Sequence, residues 1–244
     1  MDGAKTASGT RRERQRAQLM LDTRRAAREI AAVEGVDGLT LAAVARAVGV
    51  SPPALYRYFD GRDGLIQALY GDLTAELIST VSAAANRQNA DDLSAQLHAA
   101  SLAVFDWAVA NRAAFDLLMG SAYPKASKAG GDVPQTIARE LGGAFAVPFG
   151  QLWQRQVLTY PADDDIAAAL RGQLEAYRAQ VCPQLPLGVA YLMFTCWRQI
   201  YGIMCMAVYG HLDYAFTDYR ALFDDMIVGL LGRLGLQVSP ELRP

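Results

Sequence analysis

Between Ser51 and Phe59 the chain places one hydroxyl (Ser51), two phenols (Tyr56, Tyr58) and a guanidinium (Arg57) around Pro52, Pro53 and Ala54. Such donors, set at the start of a short helix, are the groups that hold phosphate oxygens, and small or planar side chains beside them can approach base edges. The chemistry implied is noncovalent recognition of a polyanion. Half-buried packing is the alternative reading for the paired tyrosines. Catalysis has no comparable cluster: His98 and His211 stand far apart, and there is no phosphate-cradling Gly loop, CxxC, HExxH or nucleophile elbow. Asp163-Asp164-Asp165 reads as an electrostatic cap on a following helix rather than a metal site. Cys196 and Cys205 read as small buried hydrophobes. No catalytic residue, metal or cofactor is expected, and the chain is not expected to be an enzyme.

The elements that must position these donors follow from the local pattern. Thr40 is a natural N-cap for LAAVARAV, which turns Leu41, Val44, Ala45 and Val48 inward, and Gly49 ends it. Ser51 then caps a second short helix with Pro52 at its first position, where the missing N–H costs nothing. Leu55 and Phe59, one turn apart, face the core, so Pro53, Ala54, Tyr56, Arg57 and Tyr58 are left outside. Two short helices joined by Gly49-Val50-Ser51 have the anatomy of a helix-turn-helix, with Val50 plugging the space between them and the second helix in the DNA major groove.

Upstream, a helical pattern runs from about Arg11 to Glu34 with Leu19, Ala26, Ala27, Ile30 and Val33 near one face, stopped by Gly35 and Gly38. From Arg62 a long amphipathic helix carries Leu65, Ile66, Leu69, Leu73, Leu77 and Ile78. Further helices are expected at about 91–110, 112–120, 133–158, 163–180, 187–210 and 215–235. Residues 1–10 read as a flexible arm and 121–132 as a mobile loop. No segment alternates like a strand. The fold class is all-α.

Charge divides the chain in the same place. The 244 residues carry a net charge of −2, but residues 1–62 hold 11 basic against 7 acidic side chains, a net of +4, which leaves −6 for the rest. That asymmetry fits a nucleic-acid-binding head on an acidic body. With no apolar run of membrane-spanning length, no apolar leader and three widely spaced cysteines, a cytoplasmic protein that does not enter the membrane is expected.

The stretch EGVDGLTLAAVARAVGVSPPALYRYFDGRDGLIQALY resembles the DNA-binding signature of TetR-family transcriptional repressors. Ala27, Gly35, Leu39-Thr40, Val44-Ala45, Val48 to Ser51, Leu55-Tyr56, Tyr58-Phe59, Arg62 and Leu65 carry the match over residues 24–70. The resemblance implies that Thr40 caps the second helix against a phosphate. It also implies that Ser51, Pro53, Ala54, Tyr56, Arg57 and Tyr58 form the recognition surface, and that Arg62, standing where the family usually has Lys, contacts phosphate. Three departures stand out. Pro53 replaces a small residue and removes a donor, Thr23 and Arg24 occupy positions that are more often apolar, and the Arg11–Arg16 arm is long enough to reach toward a minor groove.

By the same resemblance, residues 1–16 form a basic arm, 17–70 the DNA-binding domain, and 71–244 a body that binds a ligand and dimerises. The body's bulky apolar residues with a few hydroxyls suit a pocket for a largely apolar small molecule. The candidates are Phe105, Phe115, Met119, Phe149, Trp153, Tyr177, Phe194, Trp197 and Tyr201. The stripe Met193, Trp197, Tyr201, Met204, Val208 reads, residue by residue, more as core than as cavity. HAASLAVFDWAVANRAAFDLLMG and CWRQIYGIMCMAVYGHL are similar to a TetR subgroup named for a Trp-His-Gly pattern. Here that pattern is Trp197 then Tyr201-Gly202, with Tyr for His. A homodimer through the last two helices, a palindromic operator as partner and release on effector binding are what the family resemblance implies.

Overall fold

The computed structural model describes residues 11–120 and 133–236; the expected 1–10 arm and the 121–132 loop lie outside them. The described chain is all helix, with no strand among those residues: α1 (Arg11–Gly38), α2 (Leu41–Val48), α3 (Pro52–Leu55), α4 (Gly61–Asn86), α5 (Leu93–Ala110), α6 (Arg112–Met119), α7 (Val133–Gln154), α8 (Ala168–Val181), α9 (Leu187–Tyr209) and α10 (Tyr219–Arg233).

Residues 11–16, expected within a basic arm, form the first turns of α1. That helix breaks at Gly35 (φ 68°), a left-handed conformation that glycine adopts without strain. Its buried stripe runs through Thr23, Ala27 and Ala31, and Val33 sits off the edge of it in the last turn, 86% exposed rather than packed. Thr23 is fully buried because its hydroxyl donates to the Leu19 carbonyl at 2.7 Å, which leaves its methyl for the core. Arg24 turns outward to Asp72, 3.1 Å away.

The helix expected to run through Phe59 is a single turn. Beyond Leu55 the N–H groups of Tyr58 and Phe59 both return to the Leu55 carbonyl (2.9 and 3.1 Å), and Gly61 (φ 64°) opens α4. Helix α4 then buries Leu65, Ile66, Leu69 and Tyr70 in the head and Leu73, Leu77 and Val81 in the body. The expected boundary at residue 70 therefore falls inside one unbroken helix. Asp92 starts α5 by accepting from the Ala95 N–H at 2.9 Å.

Asp163–Asp165 does not cap the next helix. It forms its own 3-10 turn, and α8 begins only at Ala168. Arg171 reaches back to hold this turn, with Nε donating to the Ile166 carbonyl (3.0 Å) and Nη1 lying 3.3 Å from Asp164. One continuous apolar core runs from Ala27 through Leu69, Leu77 and Val104 to Phe223 and Leu231. Among the described residues no helix is long and apolar enough to cross a membrane, and no group of three His, Cys, Asp or Glu side chains gathers to hold a metal.

Candidate nucleic-acid interface and apolar cavity

Thr40 does cap α2, its hydroxyl accepting from the Ala43 N–H at 3.1 Å. Gly49 (φ 73°) closes that helix in the left-handed conformation, which lets the Val50 N–H return to the Ala45 carbonyl at 2.9 Å and tucks Val50 half-buried against the core. Ser51 holds the N-cap position of α3 but its hydroxyl makes no cap bond, contrary to the reading of it as a capping side chain. The cause is local: Pro52 and Pro53 carry no N–H, and the Ala54 N–H goes to the Ser51 carbonyl at 2.9 Å. The exposed Ser51 hydroxyl is left for an outside acceptor.

Around it the structure brings together the expected surface. Pro53, Tyr56 and Arg57 are exposed, Ala54 and Tyr58 half-buried, and Leu55 and Phe59 turned into the core. Tyr58 has a partner that sequence reasoning missed: the Arg16 guanidinium lies 5.3 Å above its ring, a cation–π contact from the start of α1. Arg62, expected on phosphate, is drawn inward. Its Nε donates to the Leu39 carbonyl (3.0 Å) and its Nη2 to the Val36 carbonyl (2.7 Å), so the planar fork ties the α1–α2 junction to α4.

Below the head, charged and polar pairs link α1, α4 and α5. Arg28 pairs with Glu76, whose other carboxylate oxygen accepts from the Trp107 indole N–H at 2.9 Å. Burial pushes the Glu76 carboxyl up, but Arg28 and Trp107 together outweigh it and hold it below the ordinary carboxylate range. For Asp72 burial prevails over Arg24 and Arg28, and its carboxyl is raised.

In the body, helices α5, α6, α7, α8, α9 and α10 enclose a cavity of about 320 Å³. Met119, Phe149, Tyr177, Trp197 and Tyr201 line it as expected. Four other candidates do not. Phe105 stacks on Phe223 at 4.5 Å in the seam between α5 and α10. Phe115 is fully buried behind the wall, 6.3 Å from Tyr201 and 6.2 Å from Tyr209. Trp153 faces outward, its indole N–H donating to the Tyr160 hydroxyl. Phe194 packs its edge on Tyr177 from the outer side, 36% exposed. Of the stripe on α9, Met193, Trp197 and Tyr201 line the cavity while Met204 and Val208 are core.

Lining residues missed by sequence reasoning include Ser101, Cys196 and Ile137. None of them carries a clear signal in the sequence; Ser101 is one of two buried serines on the apolar α5. Burial pushes the Cys196 thiol up to about 11, with Arg233 opposing, so it stays protonated and is no reactive nucleophile. Burial likewise raises the Tyr177 and Tyr201 phenols above their ordinary value. Tyr201, standing where the subgroup pattern has His, donates its hydroxyl to the Met119 carbonyl at the end of α6. Two residues earlier, the Leu117 carbonyl accepts from the Tyr70 hydroxyl of α4. His98, which belongs to no motif, pairs with Asp224 at 2.6 Å and pins α5 to α10.

Comparison with known proteins agrees with this geometry. Residues 24–69 match the model described as bacterial regulatory proteins, tetR family, and residues 97–230 match a tetracyclin repressor-like C-terminal domain. The chain is 32% identical over 193 residues to the HTH-type transcriptional regulator Rv1816 of Mycobacterium tuberculosis, covering 78% of this chain and 81% of that protein. It superposes on the crystal structure of the regulatory protein SCO4313 with a TM-score of 0.68 at 27% identity, over 91% of this chain and 100% of that one. A tetR family regulator from Shewanella sp. PV-4 shares the fold at a TM-score of 0.59 and 16% identity, over 86% and 95% of the two chains. The chain belongs to the TetR family of bacterial transcriptional regulators.

Proposed function

We propose that the protein is a homodimeric repressor that leaves a palindromic operator when a small, largely apolar effector enters the α5–α10 cavity. The observation that carries this reading is the pair of bonds at the end of α6. Tyr201, a cavity wall, holds the Met119 carbonyl, and Tyr70, on the helix that leaves the DNA-binding head, holds the Leu117 carbonyl. A ligand that moves α6 therefore acts on α4, and it shifts operator binding to the extent that it prefers one placement of α6 over the other.

The exposed Ser51, Pro53, Tyr56 and Arg57 supply the DNA surface, with Thr40, Ala54 and Tyr58 beside them. The dimer is assigned to α9 and α10. On these helices Gly202, Gly229 and Gly232 have open space where a Cβ would stand, so nothing among the described residues requires glycine there, and a partner helix could approach closely. The division into a DNA-binding head through residue 70 and a sensing, dimerising body after it belongs to the same proposal.

The test is fluorescence anisotropy on the palindromic DNA flanking the gene, at several salt concentrations. A two-headed dimer contacting about 6–10 phosphates loses affinity steeply with salt. Salt-insensitive or absent binding to such DNA overturns the reading.

A further inference from the structure

We infer that the cavity takes a small neutral ring compound whose hydroxyl is held by Ser101. The inference rests on the effector reading above and gives the effector its chemistry. At about 320 Å³ the cavity lies at the low end of small-molecule sites.

No Asp, Glu, Lys, Arg or His stands among the described lining residues, so an ionised ligand would lose its hydration without gaining a countercharge. Five rings line the space (Phe145, Phe149, Tyr177, Trp197 and Tyr201), and a flat ligand meets their faces or edges with little loss of contact.

The polar groups narrow the choice further. Tyr201 spends its hydroxyl on the Met119 carbonyl, and the protonated Cys196 thiol is a weak donor. Tyr177 and Trp197 also line the cavity, and neither the phenol nor the indole N–H bonds to another described residue, but both side chains are only half-buried. Ser101 is the most buried of the three: it is 5% exposed, lines the cavity, and its hydroxyl bonds to no other described residue. A hydroxyl that lines the cavity without a protein partner favours the ligand that supplies one over the analogue that lacks it.

The test titrates the full-length dimer by calorimetry with three probes: 1-naphthol, naphthalene and 1-naphthoate. Both neutral compounds are expected to bind, 1-naphthol about tenfold tighter than naphthalene, which corresponds to one net hydrogen bond. The carboxylate is expected to bind at least tenfold more weakly than 1-naphthol. Ser101→Ala should lower 1-naphthol to the affinity of naphthalene and leave naphthalene unchanged, so that naphthalene binding reports an intact cavity. Ser101→Cys, closer in volume, should fall between.

Naphthoate binding as tightly as 1-naphthol overturns the neutral assignment. Equal losses for both neutral probes in Ser101→Ala overturn the role of the hydroxyl. Failure of both neutral probes to bind overturns the ring class. Binding with the expected pattern but without operator release supports the cavity chemistry and overturns the effector reading instead.

Discussion

The phenol of Tyr70 donates to the carbonyl of Leu117 across 2.9 Å, and both residues are buried. This bond fastens the helix that leaves the head to the helix that closes one side of the cavity. Tyr70→Phe removes a buried hydrogen bond, so unfolding free energy in urea should fall by about 0.5–1.5 kcal/mol. Operator affinity without ligand should change little, while the loss of affinity caused by a cavity ligand should shrink. Full ligand response in Tyr70→Phe would show that α6 is not the route.

Arg62 is expected to act through its fork rather than its charge. Arg62→Lys keeps the charge, but an ammonium lacks the fixed fork that spans the Val36 and Leu39 carbonyls. Both Arg62→Lys and Arg62→Ala should therefore lower thermal stability, by about 1 and about 2 kcal/mol, and weaken operator binding in that order. A lysine variant that binds DNA as the parent does, beside a failing alanine variant, would assign the residue to phosphate instead.

Tyr56 and Arg57 are exposed and contribute no buried packing, so replacing them with alanine should leave the far-ultraviolet dichroism unchanged. Arg57→Ala should lower operator affinity at least tenfold. If each head of the dimer uses it on one phosphate, the slope of log affinity against log salt falls by about 1.8. A double variant with unaltered affinity would place the DNA contacts elsewhere.

Glu76 ties stability to pH. Its carboxyl is held below the ordinary range, so it is harder to protonate in the folded protein than in the unfolded chain. The ionised form stabilises above the unfolded carboxylate value of about 4.3, and that contribution is lost as pH falls through the lower folded value. Glu76→Gln should be less stable than the parent near pH 7, and the gap should narrow as pH falls below the unfolded carboxylate value of about 4.3. Asp72, raised by burial, has the opposite sign, and its contribution grows on acidification. Urea midpoints measured across this range check both signs, and a Glu76→Gln gap that widens in acid contradicts the first.

The open space beside Gly202 and Gly229 separates the protomer from its assembly. Gly202→Arg and Gly229→Arg place side chains where the protomer has none, and glycine removal favours a helix by up to about 1 kcal/mol. The folded protomer should survive and the dimer should not, with light scattering showing half the mass at unchanged helicity. A persistent dimer would move the interface off α9 and α10.

The head is largely legible in the sequence because its rules are local. Thr40 and Gly49 cap α2 from within a few residues, and the spacing of Leu55 and Phe59 turns both inward. Arg62 is not legible, since the carbonyls it holds lie 23 and 26 residues away and are presented only after α1 breaks at Gly35. The cavity is half legible for a related reason. Phe105 and Trp197 are both large rings on apolar helices, and only the docking of α10 on α5 makes the first a stack on Phe223 and leaves the second facing empty volume. Ser101 stands out poorly among alanines and leucines, because a serine matters there only once its hydroxyl is known to lack a partner.

The passage of α4 without interruption from head to body has a thermodynamic consequence. Leu65 in the head and Val81 in the body lie on one helix within one continuous core, so the two halves are expected to melt together. Calorimetry should register one cooperative unit. A ligand held deep in the body at about one hundred times its dissociation constant would add about 2.7 kcal/mol to the whole of it. On the effector reading proposed above, the molecule that loosens the grip on DNA would also make the DNA-reading helices harder to melt.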